Sequence, residues 1–233
     1  MINIQPIEKR VEGDGASLDV HSVFYTIQGE GPYAGHPAVF IRLAGCNLQC
    51  PGCDTEYTNG RELLSIPEIT ARVERSFSSR LMCTQPIVVI TGGEPFRQNI
   101  TPLVRHLKRY YQIQIETNGS FGFDDVDAFR GVDIICSPKT GKVHYSIVSH
   151  ARAFKYVLHH ASIDTADGLP IFALDHSASP KVARPPLGMP VYLQPMDCKD
   201  EVENSLNQKA VLESCLRHGY IVQLQLHKFL GVE

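Results

Sequence analysis

The chain has no run of apolar residues long enough to span a bilayer. Neither sign of charge dominates. Its 22 Lys and Arg against 25 Asp and Glu leave a formal net charge of -3, which excludes a global basic field for nucleic acid. The segment Met1–Arg10 lacks the charged-then-apolar pattern of a secretory leader. A disulfide framework is missing too, because seven cysteines are an odd number and three of them crowd one short stretch. These absences imply a reducing, cytoplasmic setting with no membrane partner. There is no internal repeat and no low-complexity tract. The 233 residues, 43% hydrophobic, are enough for one substantial core, so a single domain over residues 1–233 is expected.

What is present alternates between two kinds of segment. Short β-rich runs lie at Ala38–Leu43, Ile87–Thr91, Ile113–Thr117, Val132–Cys136, Phe154–Leu158, Val191–Gln194 and Tyr220–Leu224. Ser65 and Glu68 make a capping box, with Pro67 in the first turn, and predict a helix to about Phe77. Ile100, Leu103, Val104, Leu107 and Tyr111 repeat along one helical face. Val202, Leu206, Ala210, Val211 and Cys215 do the same before Gly219, a stop signal. Strands alternating with helices imply an α/β fold on a parallel sheet. The elements are slightly too few for eight repeats, so the expected architecture is an open or partial (β/α) barrel. Residues 161–190 break the rhythm and read as a loop insertion around one apolar strand, Pro170–Leu174. No element is assigned to residues 1–19, a stretch that could be ragged.

Cys46, Cys50 and Cys53 form C-x3-C-x2-C, with no fourth cysteine or histidine nearby. A closed zinc site wants four ligands, commonly as paired C-x2-C units. A zinc knuckle with a distant fourth ligand is therefore the lesser reading. A [4Fe–4S] cluster on three cysteines leaves one iron open to another ligand. Other polar motifs follow other strands: Thr91-Gly92-Gly93-Glu94-Pro95, Glu116-Thr117-Asn118-Gly119, Ser137-Pro138-Lys139, Gln194-Pro195-Met196-Asp197 and His227-Lys228. In a parallel sheet these strand ends share one side, where α/β folds build their sites.

C-x3-C-x2-C followed by Gly-Gly-Glu-Pro resembles the radical S-adenosylmethionine (SAM) superfamily. Within it, the match is closer to the family that makes 7-deazapurines on the way to queuosine. It runs from Phe24-Tyr25-Thr26-Ile27-Gln28-Gly29-Glu30-Gly31 to Leu226-His227-Lys228. One departure is Gly52, where the superfamily usually has an aromatic residue. The resemblance implies a partial TIM-type barrel, a lyase reaction, and three cofactors: a [4Fe–4S] cluster on Cys46, Cys50 and Cys53, SAM, and Mg²⁺ on Thr55. It implies SAM contacts from Gly93, Ser137, Pro138, Lys139, Gln194, Pro195, Met196 and Asp197. The implied substrate contacts are Ile27, Gln28, Gly29, Arg42, Thr91, His227 and the terminal carboxylate of Glu233. The implied reaction converts 6-carboxy-5,6,7,8-tetrahydropterin to 7-carboxy-7-deazaguanine and ammonia. A reductant such as flavodoxin or ferredoxin, and a homodimer, complete the expectation.

Each residue also has a plainer reading. Arg42 could face solvent from its strand; facing inward it would need an anion, and a carboxylate suits its forked donors. Thr55 is by default a turn residue, though magnesium takes oxygen ligands and keeps waters. Glu116 and Asn118 could be ordinary turn residues, as against a role at SAM, and His227 alone would be a structural histidine. Glu94 is given no role of its own. Cys83, Cys136, Cys198 and Cys215 read as small core residues. Two rivals to the enzyme reading are a radical SAM activase of a partner protein, which needs no pterin pocket, and a non-enzymatic metal-binding module, which needs no Gly-Gly-Glu-Pro loop. If Glu233 reaches the substrate, a C-terminal tag lowers turnover more than an N-terminal one; equal activities of the two tagged forms would count against that role.

Overall fold

Nine strands form one open sheet in the computed structural model, which describes residues 3–78, 85–173 and 181–232. In chain order they are β1 (Ser17–Ile27), β2 (Pro37–Leu43), β3 (Glu62–Ser65), β4 (Ile87–Gly92), β5 (Gln112–Thr117), β6 (Asp133–Cys136), β7 (Ala151–Leu158), β8 (Val191–Pro195) and β9 (Ile221–Val222). The helices are α1 (Ile66–Phe77), α2 (Thr101–Leu107), α3 (Val126–Phe129), α4 (Tyr145–His150), α5 (Glu201–His218) and α6 (Leu226–Leu230). The strand order is β3-β1-β2-β4-β5-β6-β7-β8-β9. Every pair from β2 to β9 is parallel, while β1 runs antiparallel to both β2 and β3. The ends do not meet, so the sheet is a partial barrel, as expected.

Successive residues of a strand point to opposite faces, and here the two faces differ in kind. Val39, Ile41 and Leu43 of β2, Val88 and Ile90 of β4, Ile113 and Ile115 of β5, and Ile134 and Cys136 of β6 join one large core. Residues of α1, α2, α3 and α5 complete that core. The intervening Ala38, Ile87 and Val89 form a separate small cluster with Tyr33 and Phe40. Continuing along this second parity toward the carboxyl ends, the next residues are Arg42, Thr91 and Glu116. On β7, Lys155 falls between core residues Phe154 and Tyr156 and so shares the second face. The near-continuous apolar runs of the central strands reflect burial on both sides. Their few polar residues mark where the second face opens.

Several expected elements differ in extent. The helix over 100–111 stops at Leu107, because the Tyr110 and Tyr111 amides both turn back to the Leu107 carbonyl at 3.0 Å before β5 begins. Tyr111 instead stacks on Phe77, ring centroids 5.4 Å apart. In α5 the stop at left-handed Gly219 is as read, and Asp200, not anticipated, caps the start. Its expected apolar face is only half used: Val202 and Leu206 are exposed, and Ala210, Val211 and Cys215 are buried. The strand over 220–224 shrinks to the two residues of β9. Residues 170–173 are not a strand. Pro170 makes an isolated bridge with Ile163, and Arg184 crosses the loop to pair with Asp167 at 2.6 Å and Asp164 at 3.3 Å. Leu174, Ser177–Pro180 and Cys83 lie outside the described residues. β1 and β3 were not anticipated; of residues 1–19, Ser17–Asp19 enter the sheet through β1, and Ile7 makes an isolated bridge to Cys46.

Arg97 ties that early segment down. Its side chain is buried and donates to the carbonyls of Ala44 at 3.0 Å and Lys9 at 3.1 Å. It also lies 3.3 Å from Glu8 and 3.9 Å from Asp19. Replacing it with alanine strands these partners. Arg97→Ala is expected to cost the cluster-free protein about 3 kcal/mol in denaturant unfolding; a loss below about 1 kcal/mol would contradict this role.

Candidate active site

The cysteine loop leaves β2 at Leu43 and is shaped by backbone contacts that admit no side chain. Gly45 has φ +78°, and a Cβ there would lie 2.6 Å from the Arg97 guanidinium. A Cβ on Gly92 would overlap the Leu43 carbonyl oxygen. One on Gly93 would overlap the Gly45 carbonyl oxygen and approach Cys46 Cβ to 2.8 Å. Glycine is required where backbones meet this closely. Gly52 has φ +67° with open space beside it, so an aromatic side chain there would be strained by the backbone rather than by crowding. Cys46 is buried, Cys50 half-buried and Cys53 exposed. Burial pushes the Cys46 thiol up to about 12 and raises Cys50 and Cys53 as well; Lys139 partly opposes the shift at Cys50. Without a cation these thiols stay protonated. A bound metal centre supplies the charge that makes them thiolates, so three thiols over a glycine cradle suit a cluster.

Glu94 gains a role that was not read from the sequence. It is fully buried and accepts from the Phe96 amide at 3.0 Å, the Thr117 hydroxyl at 2.7 Å and the Asn118 amide at 2.8 Å. It thereby fastens the Gly-Gly-Glu-Pro turn to the end of β5. Despite three donors, burial raises its carboxyl to about 7.

Next to this loop lies a cavity of about 480 Å³. Ile27, Gln28, Gly29, Arg42, Thr55, Thr91 and His227 all line it. Phe24 and Phe40 form an apolar wall, stacked 5.5 Å apart, and the Arg42 guanidinium sits 5.0 Å from the Phe24 ring. The polar wall is one linked network. Glu116 accepts from Thr91 Oγ1 at 3.1 Å, Gln28 Nε2 at 3.0 Å and Gln114 Nε2 at 3.2 Å. Gln28 Oε1 accepts from the Glu30 amide at 3.0 Å. Glu30 in turn pairs with Lys155 and accepts from Gln225 at 2.8 Å. Burial penalises both charges of that pair, but mutual attraction prevails: Glu30 falls to about 2 and Lys155 rises. A Cβ on Gly29 would overlap His227 Nδ1, so the glycine is what lets α6 seat its histidine against β1's end.

A smaller cavity of about 250 Å³ adjoins the first and is lined by Pro195, Met196, Asp197, Asn204, Leu224 and Phe229, among others. Lys228 borders both cavities and bridges them, 3.2 Å from Asp54 and 3.5 Å from Asp197. Asp197 is held well below the usual carboxylate range by Lys199, with Asn204 and Lys228 adding to the effect. Gly93, Ser137, Pro138, Lys139 and Gln194 line neither cavity. Lys139 is half-buried and donates to Ser137 Oγ at 2.6 Å, and loss of solvation lowers its pKa. Gln194 accepts from Gln223 at 2.8 Å, which ties its side-chain oxygen to β8's neighbour. Cys136 and Cys215 are buried as read, while Cys198 is half-buried beside Asn207. Glu233 lies outside the described residues.

Four wall residues escaped the sequence reading: Glu30, Lys155, Lys228 and Glu116 as a network centre. Lys155 left a signal, a charge in the middle of the apolar run Phe154–Leu158. Glu30 and Lys228 stood inside quoted motifs, but nothing local distinguished them from solvated charges.

A family model described as a 4Fe-4S single cluster domain matches residues 27–128. The chain is 41% identical over 230 residues to a 7-carboxy-7-deazaguanine synthase of Rhodospirillum rubrum, covering 94% of each. It is 37% identical over 240 aligned positions to the one of Rickettsia prowazekii, covering 100% of this chain and 96% of that one. Its fold is similar to the crystal structure of QueE from Escherichia coli, with a TM-score of 0.65 at 23% identity over 91% of this chain and 95% of that one.

Glu94 makes stability depend on pH in a defined direction. Its carboxyl titrates near 4.5 when unfolded and about 7 when folded, so the folded state binds the proton more tightly. The cluster-free protein is therefore expected to lose on the order of 3 kcal/mol as pH rises from below 4.5 through 7, then level off. Urea unfolding at pH 5 and 7.5 reads most of this loss. Glu94→Gln should flatten it, and an unchanged slope in that variant contradicts the assignment.

Proposed function

The chain belongs to the 7-carboxy-7-deazaguanine synthase family and is a radical SAM enzyme, and on that premise we propose that it converts 6-carboxy-5,6,7,8-tetrahydropterin to 7-carboxy-7-deazaguanine with loss of ammonia. The observation that carries this reading is one cavity beside the cysteine loop, lined by Ile27, Gln28, Gly29, Arg42, Thr55, Thr91 and His227. Cys46, Cys50 and Cys53 would hold the cluster, which with SAM would supply radical chemistry, the abstraction of a hydrogen atom at C6 of the pterin. The reaction is redox-neutral overall, because the ring contracts by expelling one nitrogen as ammonia.

The protein's work is placement. The Arg42 fork receives the substrate carboxylate. Thr55, with Asp54 beside it, would hold a magnesium ion, which would supply positive charge for the substrate carboxylate. Gln28, Thr91 and the backbone at Ile27 and Gly29 meet the polar edge of the ring, and the Phe24–Phe40 wall covers its face. His227 closes the side of the cavity formed by α6. Gly93, Ser137, Pro138, Lys139, Gln194, Pro195, Met196 and Asp197 are assigned to SAM. For Pro195, Met196 and Asp197 the support is the smaller cavity they line. For Gly93 it is contact with the Cys46 loop. Gln194 contributes through its backbone, given its bond to Gln223. A flavodoxin or ferredoxin as reductant, a homodimer and a cytoplasmic location belong to the same reading.

Anaerobically reconstituted protein with SAM, reductant, Mg²⁺ and the carboxypterin should form the deazaguanine and ammonia in equal amounts. Arg42→Ala should lower kcat/KM by about 100-fold, equivalent to roughly 2.7 kcal/mol, with the cluster spectrum intact. SAM cleavage without carboxypterin turnover would favour an activase; absence of any cluster spectrum would sink the enzyme reading.

A further inference from the structure

Outside both cavities, the carboxyl end of β7 carries a second group of metal-ligating side chains. His159 and His160 follow the strand, and Glu203 stands in the first turn of α5. One ligand atom from each lies within 4.8 Å of the others. Glu203 Oε2 is 2.9 Å from His160 Nε2 and 3.5 Å from His159 Nε2. The two rings stack, centroids 4.8 Å apart at 28°, and so present both Nε2 atoms to one carboxylate oxygen. A tetrahedral ion with bonds of about 2.0–2.1 Å keeps its ligand atoms about 3.4 Å apart, a spacing that the two measured edges bracket. The three side chains are 28%, 29% and 42% exposed, so an ion and its water can reach them.

The frame behind these ligands is fixed. The fully buried Asn207 accepts from the His160 amide at 2.8 Å and donates to the Met196 carbonyl at 2.9 Å. The Met196 amide bonds to the Leu158 carbonyl at 2.9 Å, and Asp200 caps the Glu203 amide at 2.9 Å. Ligands on tied backbone lose little freedom when they bind.

We propose that His159, His160 and Glu203 form a site for a divalent transition ion of the zinc type, with three protein ligands and a water. Two imidazoles and one carboxylate suit Zn²⁺, Co²⁺ or Ni²⁺ and not Mg²⁺, which prefers oxygen. The ion cross-links the end of β7 to α5. Through Asn207 it acts on the backbone of Met196, which borders the smaller cavity. In the metal-free chain the Ala161 amide donates to His159 Nδ1 at 3.2 Å and keeps the ring proton on Nε2. Ligation through Nε2 moves that proton to Nδ1 and ends the bond. The Ala161 amide is therefore a reporter of loading.

The test uses cluster-loaded protein under anaerobic conditions, so that Cys46, Cys50 and Cys53 are occupied, and adds Zn²⁺ alone. Calorimetry should find one ion per chain, X-ray absorption should show nitrogen and oxygen ligands, and the Ala161 amide resonance should move. Glu203→Gln and His160→Ala should each weaken binding at least tenfold. Glu203→Gln preserves the side-chain volume, and an unchanged metal-free thermal midpoint separates lost ligation from lost folding. Sulfur-only ligation, affinity unchanged from the unsubstituted protein in both variants, or no binding at micromolar Zn²⁺ overturns the proposal.

Discussion

The close approach of two backbones at the ends of β2 and β4 governs the site. Gly92 and Gly93 lie against Leu43 and Gly45 with no room for a Cβ, and the Gly93 and Glu94 amides donate to the Leu43 and Gly45 carbonyls at 3.2 and 3.1 Å. A side chain at either glycine would push the cysteine loop away from the sheet. Glu94 then carries the linkage to β5 through Thr117 and Asn118, and Arg97 carries it to the early segment through Ala44, Glu8 and Asp19. The loop that bears Cys46 is thus positioned from three sides by residues of one turn.

The division between the sheet's faces explains why the cavity is polar. The helix-covered face is filled with Ile, Val and Leu, and their burial supplies the main drive for folding. The other face begins apolar at Ala38, Ile87 and Val89 and turns polar one pleat later. Charges are tolerated there because they are matched: Glu30 with Lys155, and Glu116 with the donors Thr91, Gln28 and Gln114. Burying these charges costs solvation that pairing only offsets. Their value is orientation, since each carboxylate aims a donor or amide that borders the cavity.

The short helix α6 joins the two cavities to the chain's last turn. His227 seats on Gly29, and Lys228 reaches Asp54 on one side and Asp197 on the other. Residues nearly two hundred positions apart in sequence are held together here, so events at the cysteine loop and at the end of β8 share one cation.

Much of this was legible locally. The three cysteines, the paired glycines and the capped helix α1 depend on neighbours within a few residues, and short-range chemistry dictates them. The parallel order of the strands followed from their alternation with helices. The antiparallel strand β1 and its partner β3 were not legible, because their pairing is non-local and their residues mix polar with apolar. The helical repeat ending at Tyr111 and the α5 face at Val202 and Leu206 misled, since periodicity states which residues share a face and not where another element covers it. By itself, the sequence determined the spacing of the three cysteines, the tight turns and the type of most elements. Only the tertiary structure decided that Glu30 meets Lys155, that Glu94 caps β5 and that Lys228 spans two cavities. Such pairings are set by sheet order and register, and a charged side chain carries no local mark of the partner it will face.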